Sequence, residues 1–192
     1  IGATAAWDLS QGTGITIAIL DTGVDSAHPD LAGKIVSGWN FYDNNSNTTD
    51  VNGHGTAVAG AAAASSNNGK NEGFTPTTSM IPVSATNSTD SKTSWSSFGN
   101  YVALSAPGIN IWTTYRNASY GTAWGTSLAS PVIAGTVALM MSANTNLKST
   151  EIESLLFSTA KDLGPVGRDP YFGYGRINAA AAVLAAKNAT VS

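Results

Sequence analysis

The stretch Gly125-Thr126-Ser127-Leu128-Ala129-Ser130-Pro131 decides how the rest of the chain is interpreted. It is a turn of small residues that leads into an apolar segment, residues 131–141. Gly125 permits a tight backbone turn, and Ser127 then falls in the first turn of a helix. Unpaired backbone N–H groups and the positive end of the helix dipole favour a developing anion at that place. The stretch therefore predicts an exposed, nucleophilic serine with oxyanion donors nearby.

Two further stretches supply a carboxylate and an imidazole. Asp21 follows the apolar run 15–20, which predicts a buried parallel strand with Asp21 just past its carboxyl end, where open α/β sheets place their chemistry. His54 opens a run of small residues, 54–64, which predicts a buried helix that begins at this histidine. The chain order is thus Asp21, His54, Ser127, and together these residues could form a nucleophile, a base and a group that orients the base.

The three stretches carry a resemblance to a known family. Asp-Thr-Gly, His-Gly-Thr and Gly-Thr-Ser-x-Ala-Ser-Pro are signature stretches of the subtilisin-like serine proteases, and the likeness covers about 7–76 and 81–186. The resemblance implies an α/β fold with three layers, a mostly parallel sheet flanked by helices. It also implies a serine endopeptidase that works through an acyl-enzyme. Ser127 would then be the nucleophile and the source of one backbone oxyanion donor, His54 the general base, and Asp21 the residue that orients it.

One part of the family pattern is missing. Only 73 positions (127 − 54) separate His54 from Ser127, and subtilisin-like proteases normally use many more. The asparagine that completes their oxyanion hole and one wall of their substrate cleft belong to the missing part. Three explanations stay open: residues omitted between about 76 and 81, a genuinely shortened protease, or a substitute asparagine such as Asn87 or Asn100. The interpretation is a single domain over residues 1–192 with an apparent internal deletion near 76–81.

The composition excludes some classes of function. Charged residues make up 11% of the chain and the net charge is −3, so there is no basic footprint for nucleic acid. The chain has no cysteine, which leaves the compartment undecided. The longest apolar run, 131–141, is too short to span a bilayer. We expect a monomer that acts on proteins or peptides, with neither a nucleic acid nor a membrane as its partner.

The resemblance adds expectations about the compartment and about metal ions. It implies a secreted protein and a chemistry that needs no cofactor. The family often binds structural calcium through an aspartate at the position of Asp30 and through an Asn-rich loop that 67–69 resembles. The competing hypothesis is a catalytically impaired or inactive fragment that acts as a binding module.

Local patterns predict the remaining elements. Strands are expected within 34–42, at 81–85, at 102–104 and at 109–115. A helix is expected after Ser127 to about residue 142, and another over about 150–160, with Thr150 and Glu153 as a capping box. Asn178 is expected to cap a last helix over 179–186.

Overall fold

The structure is a computed structural model that describes residues 1–62 and 80–190. Within those residues, helices and parallel strands occur together, as the α/β prediction requires. The helices are α1 (Ala3–Trp7), α2 (His54–Ala62), α3 (Thr126–Ala143), α4 (Ser149–Thr159) and α5 (Ala179–Asn188). The strands are β1 (Val83–Thr86), β2 (Leu104–Pro107), β3 (Ile111–Tyr115) and β4 (Ser119–Ala123).

The core of the described part lies around helix α3. β1 and β2 pair in parallel, with Val83 opposite Leu104, and α3 packs on both strands and on α2 and α5. Leu104, Leu156 and Ile177 are fully buried in the cluster that these elements share. The 18-residue helix α3 is long and apolar enough to span a membrane by length and composition alone. Its neighbours account for that composition, because a helix with several packed faces needs apolar residues on all of them.

A second pair of strands forms an antiparallel hairpin against α2. β3 and β4 pair from Ile111 with Ala123 to Tyr115 with Ser119. The hydroxyls of Thr113 and Thr114 donate to backbone carbonyls of α2, at 3.0 and 2.9 Å. A Cβ atom on Gly60 of α2 would contact Thr114 Oγ1. The hairpin and the helix are therefore held at a distance that only a glycine allows on the helix side.

The strand predicted at 15–20 is wrong. These residues form no strand, and the side chain of Leu20 is 87% exposed. An apolar run becomes a strand only where neighbouring strands accept its N–H and C=O groups and helices cover its faces. No described strand lies beside this run, so its backbone stays irregular although its side chains suit a buried sheet.

The strand predicted within 34–42 is also wrong. The segment is irregular apart from one isolated bridge between Asn40 and Asn45, and Phe41 is 85% exposed. The reason is the same, since the described residues provide no strand for it to pair with. As a result, four apolar side chains of these two segments are exposed, namely Leu20, Val36, Trp39 and Phe41, and we call them together the uncovered apolar surface.

The other local predictions are confirmed or corrected by small shifts. Strands β1 and β3 and helices α2, α3 and α5 occur where they were expected. β2 is displaced toward the C-terminus, because it begins at Leu104, the last residue of the predicted strand 102–104, and continues to Pro107. The capping box of α4 is displaced: Glu151, not Glu153, accepts a hydrogen bond at 2.7 Å, and the donor is the backbone N–H of Lys148. The predicted Asn-rich loop at 67–69 lies outside the described residues.

Candidate active site

Asp21 and His54 are in direct contact. His54 Nδ1 lies 2.7 and 2.8 Å from the two carboxylate oxygens of Asp21. The two side chains are partly shielded, with exposed fractions of 33% for His54 and 13% for Asp21. An ionised carboxylate only accepts, so Nδ1 carries the hydrogen. The neutral ring then presents Nε2 as an acceptor on its opposite side, as a general base requires.

The glycines of the two motifs let the loops carrying these residues approach each other. A Cβ atom on Gly55 would contact the backbone of Gly23, with the Gly23 nitrogen at 3.0 Å. A Cβ on Gly23 would lie 2.7 Å from Asp50 Cα, and its φ of 117° is one that other residues rarely adopt. The glycines of the Asp-Thr-Gly and His-Gly-Thr motifs thus lie where the two backbones are in van der Waals contact.

The threonines of the two motifs connect the loops by hydrogen bonds. The backbone N–H of Gly55 donates to Thr22 Oγ1 at 3.0 Å, and Thr22 Oγ1 donates to an oxygen of Asp50 at 2.9 Å. On the other side, the Asp25 N–H donates to Thr56 Oγ1 at 2.9 Å. The hydrogen bonds thereby fix the relative position of the Asp21 loop and the first turn of α2.

Asp50 is a residue that the motif analysis missed. One of its oxygens accepts from the backbone N–H groups of Asn52 and Gly53, and the other accepts from the Thr56 N–H at 2.8 Å and its hydroxyl at 2.6 Å. Its side chain therefore satisfies the free N–H groups at the start of α2, where a negative charge is also favoured by the helix dipole. A signal was present, because an aspartate shortly before a predicted helix is a common capping residue.

The pKa of Asp50 reflects these bonds. Burial opposes ionisation of its carboxyl group, but the hydrogen bonds from the Gly53 N–H, from the hydroxyl and N–H of Thr56 and from the Asn52 N–H outweigh burial and lower the pKa to about 2. Asp50 is therefore ionised at neutral pH and acts as a fixed anchor for the turn that carries His54.

Ser127 is the second residue of α3 and is half-buried. Gly125 precedes the helix with a φ of 141°, and its N–H donates to the Gly108 carbonyl at 2.7 Å. The predicted turn and helix start are confirmed. The structure thus brings Asp21 and His54 into contact and places Ser127 at the start of the helix that packs against α2.

The two asparagines considered as substitute oxyanion donors lie elsewhere. The side-chain oxygen of Asn87 accepts from the N–H groups of Thr89 and Ser91 in a tight loop. Asn100 is exposed, and its carbonyl accepts from Arg168 at 2.6 Å. Neither residue lines the cavity beside His54, so the structure supports neither as a replacement.

The residues expected to bind calcium are only partly described. Among the described residues, no three Asp, Glu, His or Cys side chains cluster in a way that could hold a metal ion. The carboxylate of Asp30 accepts a hydrogen bond from the Tyr120 hydroxyl, which raises the pKa of Tyr120. Asp30 alone is not a calcium site, and the calcium site stays a prediction.

A cavity of about 430 Å³ opens beside His54. The first turn of α2 forms one side and the tip of the β3–β4 hairpin forms the other. It is lined by Asn52, Gly53, His54, Ala57, Tyr115, Arg116, Asn117 and Ser119. The cavity is large enough to hold a side chain of a bound peptide next to the proposed base.

Comparison with known proteins agrees with the geometry. The model of the subtilase family matches this chain in two segments, residues 12–76 and residues 73–175. A thermitase of Thermoactinomyces vulgaris is 30% identical over 264 residues, which cover 95% of this chain and 93% of the relative. A thermophilic serine proteinase of Bacillus sp. (strain AK1) is 30% identical over 93% of this chain and 64% of its own length. Subtilisin DY of Bacillus licheniformis is 27% identical over 90% of this chain and 92% of its own length.

Proposed function

This chain belongs to the subtilase family and has the function of a subtilisin-like serine endopeptidase, and we propose that Asp21, His54 and Ser127 are its catalytic residues. Its substrates are proteins or peptides. The observation that carries the assignment of residues is the contact of His54 Nδ1 with both oxygens of Asp21. The position of Ser127 at the start of α3 supports its role as the nucleophile.

Each residue has a defined task in the proposed reaction. Ser127 Oγ attacks the carbonyl carbon of the substrate while His54 Nε2 takes its proton. Asp21 holds the Nδ1–H tautomer and stabilises the imidazolium that forms. The backbone N–H of Ser127 donates to the oxyanion, His54 passes the proton to the leaving amine, and water then cleaves the acyl-enzyme. We propose no cofactor for this chemistry, because these groups supply the nucleophile, the base and the charge stabilisation.

We further propose that the natural chain is a single domain that carries additional residues near 76–81. The two family matches meet at residues 73–76. The thermitase alignment spans 264 residues against 192 in this chain, so the relative has at least 72 residues (264 − 192) without a counterpart here. The uncovered apolar surface supports the same proposal, because added strands would bury it. An intact mass of 19.5 kDa for the natural protein would contradict this proposal, and a larger mass would support it.

Labelling of the nucleophile tests the catalytic assignment. An organophosphate probe should label the folded chain at one serine per molecule, and Ser127→Ala should abolish the label. Ser130→Ala is the matched control, because Ser130 lies in the same helix and is exposed. The comparisons do not favour the binding-module hypothesis, but a folded protein that takes up no label would support it and refute the catalytic assignment.

Three finer statements complete the proposal. Secretion rests on the family resemblance and predicts activity in the culture medium after cell fractionation. We also propose a monomer without a membrane partner, and the lack of a nucleic-acid partner rests on the net charge of −3 and the low charge content. Structural calcium near Asp30 predicts a melting temperature that falls when a chelator is added. Light scattering of the purified protein checks the oligomeric state.

A further inference from the structure

We propose that Arg116 makes this site selective for peptides with an acidic side chain close to the cleaved bond. The inference rests on the proposed function, because it assumes that the bond is cleaved beside His54. Arg116 lies at the tip of the hairpin and lines the cavity on the side opposite the first turn of α2. It is the permanently charged group among the residues that line this cavity.

The guanidinium of Arg116 has no carboxylate partner among the described residues. Arg116 Nη1 donates a hydrogen bond to the backbone carbonyl of Asp50 at 3.4 Å. Arg116 takes part in none of the ion pairs between described residues. Most of its five N–H donors therefore remain available to a bound molecule.

Two carboxylates on segments that contact the Arg116 loop accept hydrogen bonds from other donors. Asp50 accepts from Thr22, Asn52, Gly53 and Thr56. Asp25 accepts from the backbone N–H groups of Ala27, Asn117 and Ala118. These bonds orient both carboxylates toward their own donors, and neither forms an ion pair with Arg116 among the described residues.

The loop that carries Arg116 is held in an unusual conformation. Asn117 and Ala118 have φ values of 61° and 53°, and an alanine in this region costs about 1–2 kcal/mol. Ser119 Oγ donates to the Arg116 carbonyl at 2.8 Å, and Asp25 accepts from the Asn117 N–H at 2.9 Å. Such strain persists where surrounding bonds determine the backbone, and it is common at binding sites. These hydrogen bonds thus hold the backbone of Arg116 in one position beside the cavity.

The chemistry of arginine identifies the ligand. A guanidinium binds a carboxylate through two parallel N–H···O bonds, which gives both strength and orientation. The cavity is large enough for a side chain, and its lining includes the neutral polar residues Asn52 and Ser119. A glutamate or aspartate next to the cleaved bond would therefore gain an ion pair that a neutral isostere lacks.

Paired peptide substrates test the proposal. In one set a glutamate is moved through each position on both sides of the cleaved bond, and in the matched set glutamine replaces it. The expected result is one position where glutamate raises kcat/KM about 10-fold over glutamine, equivalent to about 1.4 kcal/mol. Arg116→Gln should remove this preference, and Arg116→Glu should reverse it. Peptides with an amidated C-terminus distinguish recognition of the side chain from recognition of a terminal carboxylate.

A control variant and a binding measurement separate this proposal from the proposed function. Lys187→Gln removes the same charge from α5, which does not line the cavity, and should keep the preference. Binding of the same peptides to Ser127→Ala, followed by fluorescence anisotropy at low and high salt, gives a readout without turnover. Absence of hydrolysis with retained acidic binding would refute only the proposed function. Equal binding and cleavage of both peptide sets, or a preference that survives Arg116→Gln, would overturn the role of Arg116.

Discussion

Replacement of Asp50 by asparagine tests whether this residue anchors the turn that carries His54. The amide side chain of the variant could still accept from the Asn52 and Gly53 N–H groups through its carbonyl oxygen. Its NH2 group would instead face the N–H and hydroxyl of Thr56, which is fully buried. Two hydrogen bonds to a charged acceptor are therefore lost. The Thr56 hydroxyl can turn and accept from the NH2 group, but the Thr56 N–H then faces a donor and is left without an acceptor.

The structure gives a magnitude for this loss. The pKa of Asp50 is lowered from 3.8 to about 2, which corresponds to at most about 2.4 kcal/mol, reduced by solvent screening to about 1–2 kcal/mol. The unsatisfied Thr56 N–H adds a further penalty of about 1–3 kcal/mol. We expect Asp50→Asn to lower the free energy of unfolding by about 2–5 kcal/mol at pH 7.

The pH dependence has a definite sign. Because the folded pKa lies below the unfolded one, the carboxylate stabilises the fold fully above about pH 4–5 and loses this effect as the pH falls through 2. The part of the wild-type advantage that depends on charge should fall to about one half at pH 3 and about one third at pH 2.5. Urea unfolding followed by the fluorescence of the five tryptophans measures both proteins across this range.

A neighbouring aspartate supplies the control. Asp43 is exposed and accepts a hydrogen bond from Asn40 at 3.0 Å, so Asp43→Asn should change stability by less than about 0.5 kcal/mol. If Asp50→Asn behaves like Asp43→Asn at pH 7, the anchoring role is refuted. A deficit equally large at pH 7 and pH 2.5 would refute the link to ionisation.

Three further substitutions have expected outcomes. Asp21→Asn should lower kcat for peptide cleavage by about 10⁴, because the amide would stabilise the wrong tautomer of His54; steady-state kinetics with KM nearly unchanged would confirm it. Gly60→Ala should destabilise the fold by about 1–3 kcal/mol, since its Cβ would meet Thr114 Oγ1; an unchanged urea midpoint would contradict the close packing of α2 on the hairpin. Asn178→Ala should cost about 1 kcal/mol through the lost cap on the Ala181 N–H, measurable by the melting temperature.

Local chemistry made several elements predictable from the sequence. The beginning of α2 at His54 and the cap of α5 at Asn178 depend on residues next to each other in the chain. The contact of Asp21 with His54 was expected from the family resemblance, which assigns Asp21 to orient His54, and the structure shows that contact. The convergence of Ser127 on that pair stays a prediction.

The errors share a physical cause. The apolar run at 15–20 was expected to be a strand, but pairing depends on neighbours far away in the chain, and the described residues contain none. The capping position of Asp50 was readable from the sequence, but its link to the Asp21 loop was not, because the Thr22 hydroxyl that donates to it lies 28 residues earlier in the chain. The proposed role of Arg116 could not be predicted from the sequence either, because it depends on where the tip of the hairpin lies relative to His54.

The uncovered apolar surface has a consequence for the lifetime of this 192-residue chain. A peptidase cleaves segments that are accessible and can open to an extended form, and Phe41 and Tyr42 lie in a surface turn with their side chains 85% and 96% exposed. One molecule therefore offers cleavage sites to another, so activity in a concentrated sample should decay with second-order kinetics. Fragments ending near these aromatic residues would appear first, and a covalent inhibitor of Ser127 would prevent the self-digestion.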